Sequence, residues 1–172
     1  MMAAGSAAGV IAFTDIVGFT EFTATQGDDE ALALLSLQER LIEKALPPGA
    51  RVVKELGDGL MLWFDEAAGA VETCLDLQSE FERESASSGR PLWVRMGLHW
   101  GAPARRGGDL IGHDVNLASR IVNVAGPGEV VLSESAKGHA EAASHGITFE
   151  ELGPVVLKGI PAPVVLFRAG RG

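Results

Sequence analysis

The sequence predicts an α+β fold in which helices flank a mixed, mainly antiparallel sheet. Three observations lead there. Short β-prone runs alternate with segments of helical apolar spacing along the chain. Within residues 51–65, two runs rich in Val and Leu stand on either side of an Asp-Gly pair, a strong hairpin signal. Near the end PVVL occurs twice, at Pro154 and Pro163, and reads as two paired strands around Lys158 and Gly159. Adjacent hairpins of this kind argue against an all-parallel sheet, whose strands need long crossovers.

Taken in order, residues 1–9 (MMAAGSAAG) lack the basic region of a signal peptide and read as a flexible N-terminal segment. Residues 10–15 (VIAFTD) form a β-prone run that closes on an acid, and 16–25 are a connection containing Gly18. A helix follows over 28–46, capped by Asp28 or Asp29 and burying Leu34, Leu37 and Leu41, until Pro47, Pro48 and Gly49 stop it. In the hairpin of 51–56 and 60–65, residues 60–64 are apolar on both faces, as a central strand requires. The next helix, 66–84, buries Ala70, Val71, Cys74, Leu75 and Leu77, then frays into SASSGR.

Residues 92–101 alternate, with Val94, Met96 and Leu98 on one face and Trp93, Arg95 and His99 on the other. A loop or short arm, APARRGG, precedes a helix over 114–125 with two distinct faces. Leu117, Ile121 and Val124 share one; Asn116, Arg120 and Asn123 share the other. GPGEVVLS turns into a further strand, and 133–143 form a short helix.

Composition narrows the function. A chain of 172 residues predicts one domain with a substantial core. Its net charge of −9, without a basic stripe, argues against a nucleic-acid surface. The one cysteine, Cys74, excludes an intrachain disulfide and fits a reducing cytoplasm, so the expectation is a soluble, cytoplasmic protein. No apolar run approaches the ~20 residues of a membrane span, and no membrane contact is expected.

The residues that carry chemistry begin in VVKELGDGLML at 52–62. A strict two-residue period places Lys54 in the apolar row of Val52 and Leu56. Asp58 sits at the tip between Gly57 and Gly59, which let the backbone approach another segment. Turn chemistry at Asp58 and a snorkelling Lys54 would explain both residues without a function. A second strand, however, also closes on an acid, Asp15. Carboxylates in such places are costly unless they are paired or bind metal, and two side by side suit a two-metal phosphoryl-transfer site. Arg95 in mid-strand and Lys158 at a hairpin tip supply the opposite charge that a polyphosphate needs. Arg120, one turn after Asn116, can hold a phosphoryl group beside a sugar hydroxyl, although a solvated helix face has the same pattern. His99 reads as structural, because no second ligand lies at metal-binding spacing, and Arg105 and Arg106 read as surface charges.

With these residues assembled, the chain resembles the catalytic domain of the class III nucleotide cyclases, the adenylate and guanylate cyclases. The resemblance is carried by FTDIVGFT at 13–20, VVKELGDGLM at 52–61, VRMGLHWG at 94–101, GDLIGHDVNLASR at 108–120, PGEVVLS at 127–133 and LKGIPAPVVLFR at 157–168. It implies one catalytic domain over 10–170 with a ferredoxin-like, polymerase-palm-like cyclase fold. It also implies that Asp15 and Asp58, with the Ile16 carbonyl, hold two divalent ions, Mg²⁺ or Mn²⁺. Asn116 would orient the ribose, Arg120 would stabilise charge on the reacting phosphate, and Arg95 and Lys158 would bind triphosphate.

Lys54 and Asp109 match the family's purine-reading pair. A lysine donates to adenine N1 and a carboxylate accepts from the N6 amino group, whereas guanine mismatches both. An unpaired buried polar group costs roughly 1–3 kcal/mol, enough to discriminate tenfold or more. Guanylate cyclases tend to carry Glu in place of Lys54 and a small residue in place of Asp109, so the pair implies ATP. The family also implies a head-to-tail homodimer with two shared active sites. One chain brings Asp15, Asp58 and Arg95; the other brings Lys54, Asp109, Asn116, Arg120 and Lys158.

The sequence thus reads as an adenylate cyclase making 3′,5′-cyclic AMP and pyrophosphate. Three other readings compete with it. A catalytically silent, ATP-binding regulatory domain is disfavoured by the complete set of residues, and a guanylate cyclase by Lys54 and Asp109. A diguanylate cyclase or polymerase palm is disfavoured by the absence of a GGDEF-like hairpin and of basic surface.

Overall fold

The expected alternation of strands and helices is present in the computed structural model, which describes residues 7–172. β1 (Gly9–Ile16) leads into α1 (Phe19–Gln26) and α2 (Asp28–Ala45), and the hairpin of β2 (Ala50–Leu56) and β3 (Gly59–Phe64) follows. α3 (Ala67–Ser88) returns the chain to β4 (Val94–Gly101). β5 (Ala104–Arg106) and β6 (Asp109–Ile111) form a separate two-stranded arm. The chain continues through α4 (His113–Ile121), β7 (Val130–Ser133), α5 (Glu134–Ala140), β8 (Ile147–Val155) and β9 (Val164–Arg171).

Seven strands form one sheet in the order β2-β3-β1-β4-β7-β9-β8. Every neighbouring pair is antiparallel except β4 with β7. The mixed, mainly antiparallel α+β reading therefore holds. β1 and β3 lie inside the sheet and are buried almost throughout, which is why both are apolar on both faces.

The two faces of the sheet differ in their cover. Val10 and Ala12 of β1, Leu60, Leu62 and Phe64 of β3, and Val94, Met96 and Leu98 of β4 pack with Leu34, Leu37 and Ile42 of α2 and Ala70, Val71, Cys74 and Leu77 of α3. On the opposite face Ile11, Phe13, Met61 and Trp63 meet Leu110 of the arm and Ala118 of α4. Leu117 and Ile121 of α4 reach further along that face, to Val131, Leu157 and Leu166. Gly97 explains how closely the chain after α4 approaches, since a Cβ there would stand 2.4 Å from the Val122 backbone nitrogen.

Several sequence expectations change. The connection over 16–25 contains α1, a helix whose three threonines weaken its propensity and which buries none of its own residues completely. Neither Asp28 nor Asp29 caps α2; Gly27 is the N-cap, and both acids lie in the first turn, where they favour the helix dipole. α3 does not fray at SASSGR: it continues to Ser88 and closes on Gly89 at φ 74°, whose N–H donates to the Ser85 carbonyl. The flexible segment expected over 1–9 lies outside the described residues at 1–6, and Gly9 already pairs with Gly101 as the first residue of β1. Among the described residues no helix is long and apolar enough to cross a membrane.

Candidate active site

Asp15 is the penultimate residue of β1 and stands directly opposite Arg95 of β4 in the register. Opposed residues share a face, so both point to the α4 side. The Arg95 guanidinium donates to Asp15 Oδ2 twice, from Nη2 at 2.7 Å and from Nε at 3.2 Å, and touches Asn123 Oδ1 at 3.4 Å. Asp58 is brought to the same end of the sheet by the β2–β3 turn. A Cβ at Gly59 would lie 1.7 Å from the Thr14 carbonyl, so only glycine lets this turn press against β1. Gly57, at φ 61°, completes the turn. The close approach expected of the two glycines is made by Gly59 alone; Gly57 is required by its positive φ, with nothing within 4 Å of where its Cβ would stand.

Burial, and then the neighbouring Asp15 carboxyl, push the Asp58 carboxyl up to about 7. Two acids that resist ionising together are a donor set that a cation relieves. Among the described residues no three His, Cys, Asp or Glu side chains converge as a metal cage. Mg²⁺ commonly takes one or two protein carboxylates and completes its shell with substrate phosphates, so the two-acid set fits such an ion. Ile16, the last residue of β1, is buried beside Asp15.

A second group forms between the sheet edge and the arm. Lys54 Nζ lies 2.9 Å from Asp109 Oδ2, with the two side chains 40% and 38% exposed. The hydrogen bond from Lys54 holds the Asp109 carboxyl below the ordinary carboxylate range. Lys54 does not share a row with Val52, because a β-bulge falls between them. Val52 opposes Leu62 while Lys54 opposes Met61, so Lys54 faces the α4 side together with Asp15 and Arg95. The arm is held down by Arg51 Nη1 donating to the Gly108 carbonyl at 3.2 Å and by Arg105 lying 4.6 Å over the Trp63 ring. Arg105 is thus a clamp rather than a loose surface charge, and of the loop or short arm expected at 102–108 the structure has the arm, its first strand and turn.

α4 presents Asn116 and Arg120 one turn apart, and Lys158 lies in the β8–β9 connection next to Leu157, which packs against Leu117 and Ile121. Among the described residues the side chains of Asn116, Arg120 and Lys158 bond to neither group; Asn116 and Lys158 are exposed. One chain therefore assembles two sub-sites on a single face: Asp15, Asp58 and Arg95 in one, Lys54 and Asp109 in the other.

His99 is structural, as its lack of a second ligand suggested. Its Nδ1 meets Ser133 Oγ at 2.8 Å and its Nε2 meets Asp114 Oδ1 at 3.0 Å, tying β4 to α4 and β7. Burial lowers its affinity for a proton, with Asp114 opposing. Ser133 Oγ also accepts from the Ala136 N–H as the N-cap of α5, and Ser133 is buried. The Ser-His-Asp row therefore has no open nucleophile.

A profile of the adenylate and guanylate cyclase catalytic domain matches residues 4–168. The chain belongs to the class III nucleotide cyclase family. It is 33% identical over 165 residues to a pH-sensitive adenylate cyclase of Mycobacterium tuberculosis, a match covering 94% of this chain and 40% of the relative. It is 35% identical over 127 residues to an adenylate cyclase of Streptomyces griseus, covering 73% of this chain and 31% of the relative. The cyclase domain thus spans well under half the length of these relatives. Its fold matches a monomeric adenylate cyclase of Trypanosoma brucei with a TM-score of 0.83 at 22% identity, covering 99% of this chain and 94% of that one.

Two buried polar residues behind the acid pair escaped the sequence reading. Gln38, 2% exposed, is a polar residue within the apolar stripe of α2, and Thr14 is a buried hydroxyl beside Asp15. A glutamine one turn from Leu34 on a buried face was the available signal.

Proposed function

We propose that this domain converts ATP to 3′,5′-cyclic AMP and pyrophosphate at two equivalent sites shared across a homodimer. The observation that carries the base assignment is the Lys54–Asp109 pair, a donor and an ionised acceptor held 2.9 Å apart yet still part-open to solvent. Adenine offers an acceptor at N1 and a donor at N6 in that same adjacency; guanine reverses both. The sub-site of Asp15 and Asp58, with the Ile16 carbonyl, would hold two divalent ions, Mg²⁺ or Mn²⁺, whose chemistry is to acidify the ribose 3′-hydroxyl and neutralise the triphosphate.

The protein's own groups do the rest. Asn116 orients the ribose so that its 3′-oxygen faces the α-phosphorus. Arg120 stabilises the charge that builds while the new P–O bond forms and the bond to pyrophosphate breaks. Arg95 and Lys158 bind triphosphate oxygens, with Asn123 as a second anchor when Arg95 releases Asp15. His99 keeps the first turn of α4 in place through Asp114, which also accepts from the Ala102 N–H.

The distribution of exposed apolar side chains supports the shared site. Of the six large apolar side chains exposed among the described residues, all but Leu32 (Val17, Leu56, Trp93, Ile111 and Val156) lie within two residues in sequence of Asp15, Lys54, Arg95, Asp109 or Lys158. Apolar side chains gathered around charged site residues are what a partner surface covers. Cyclic AMP formed from ATP with Mg²⁺ or Mn²⁺, at a specific activity that rises with protein concentration, is the expected result. ATP binding without cyclic product at any concentration would favour a silent regulatory domain instead.

A further inference from the structure

We propose that Gln38 is a positioning residue for the acid pair: its buried amide ties the strand carrying Asp15 to the turn carrying Asp58. The inference rests on reading those two acids as the metal-binding pair. Gln38 Nε2 donates to the Asp58 carbonyl at 3.2 Å, while its Oε1 accepts from Thr14 Oγ1 at 3.3 Å. Thr14 Oγ1 in turn accepts from the Leu60 N–H at 3.0 Å. These three bonds close a ring through β1, the β2–β3 turn and α2.

The ring acts where the backbone is least constrained. Asp58 lies between two glycines, and glycine leaves the turn many alternative conformations. Gln38 holds the Asp58 carbonyl, and Thr14 holds the Leu60 N–H two residues later. Thr14 is also the direct chain neighbour of Asp15, so both acids are tethered to the same amide.

The tether lies behind the site. Thr14 shares the α2 face of β1 with Val10 and Ala12, whereas Asp15 points to the α4 face. Gln38 therefore touches neither substrate nor ion and works through the spacing of the carboxylates. If packing were its only task, a leucine would continue the stripe of Leu34 and Leu37 without burying an amide. Both ends of that amide are aimed at the two segments that carry the acids.

The test is Mn²⁺ binding by the nucleotide-free protein, followed by electron paramagnetic resonance of free Mn²⁺, with thermal melts as a check on folding. Gln38→Met keeps the volume and removes both polar ends; Thr14→Val removes the hydroxyl, and Thr14→Ser keeps it. Expected is a loss of Mn²⁺ affinity of about tenfold or more in Gln38→Met and Thr14→Val, the scale on which outer partners of metal ligands act. Thr14→Ser should bind close to the parent, and Asp15→Asn should not bind. In turnover, the metal concentration for half activity should rise while KM for ATP stays within about twofold, a split that general loosening of the fold would not produce.

Folded Gln38→Met and Thr14→Val that bind Mn²⁺ like the parent, while Asp15→Asn does not, would overturn the positioning role and leave the acid pair standing. Parental Mn²⁺ binding that is absent both without nucleotide and beside a non-cyclisable ATP analogue, or that survives both Asp15→Asn and Asp58→Asn, would remove the acid pair as the metal site and this inference with it. Should Gln38→Met fail to fold, the contrast of Thr14→Val with Thr14→Ser decides the question alone.

Discussion

Exchanging Lys54 and Asp109, the proposed purine-reading pair, is the sharpest test of substrate choice. Lys54→Glu alone would place two carboxylates face to face across the present 2.9 Å contact, so the informative variant is Lys54→Glu with Asp109→Cys. The parent offers a donor to N1 and an acceptor to N6; the double variant offers an acceptor to guanine N1–H and leaves O6 unopposed. Both side chains are about two-fifths exposed, at 40% and 38%, so water compensates part of each mismatch. For such part-open contacts about fivefold per mismatch is a fair scale, well below the discrimination of a sealed site. Two contacts together give the parent an ATP preference of about twentyfold to thirtyfold in kcat/KM, and the double variant should lose that preference or reverse it. The assay is cyclic nucleotide formation from ATP and from GTP under one metal and one protein concentration. A ratio within about threefold of the parent's, in a folded variant with measurable turnover, would show that Lys54 and Asp109 do not read the base.

Three further outcomes are expected. Asp58→Ala and Arg120→Ala should each be inactive alone, yet a mixture allowed to exchange subunits should recover about one quarter of parental activity: random pairing makes about half the dimers mixed, each with one whole site of two. No recovery, with exchange verified, would count against shared sites. In metal-free protein Asp58 opposes folding when ionised, because its carboxyl is pushed up to about 7 from the ordinary 3.8. That penalty is absent below the unfolded value and complete above the folded one, so stability should fall as pH rises between them. Thermal melts in a chelator should therefore place Asp58→Asn above the parent near pH 8 and level with it near the unfolded value; a gap independent of pH would refute the assignment. Gly97→Ala should cost about 1–3 kcal/mol in urea unfolding, because its Cβ would meet the Val122 backbone at 2.4 Å rather than a side chain that can move.

The sequence by itself determined the parts whose signal is local. β1, β3 and β4 were legible because buried strands need apolar residues on one face or both, and the Gly-Asp-Gly turn because few other residues adopt it. Asp15, Arg95 and Lys54 share the α4 side of the sheet and Asp109 meets Lys54 there, a placement that no single segment's sequence contains. α1 was not legible: its threonines speak against a helix, and tertiary contact at Phe19 and Phe22 outweighs them.

Only the tertiary structure decided which way Lys54 points, because a one-residue bulge reverses the face of everything after it and leaves no mark on composition. The clamp of Arg105 on Trp63 and the ring through Gln38 depend on segments far apart in sequence. Such contacts have no period to read. They form where folding happens to bring two polar groups, or a cation and a ring, within reach, and that distance is a property of the packed chain rather than of either residue.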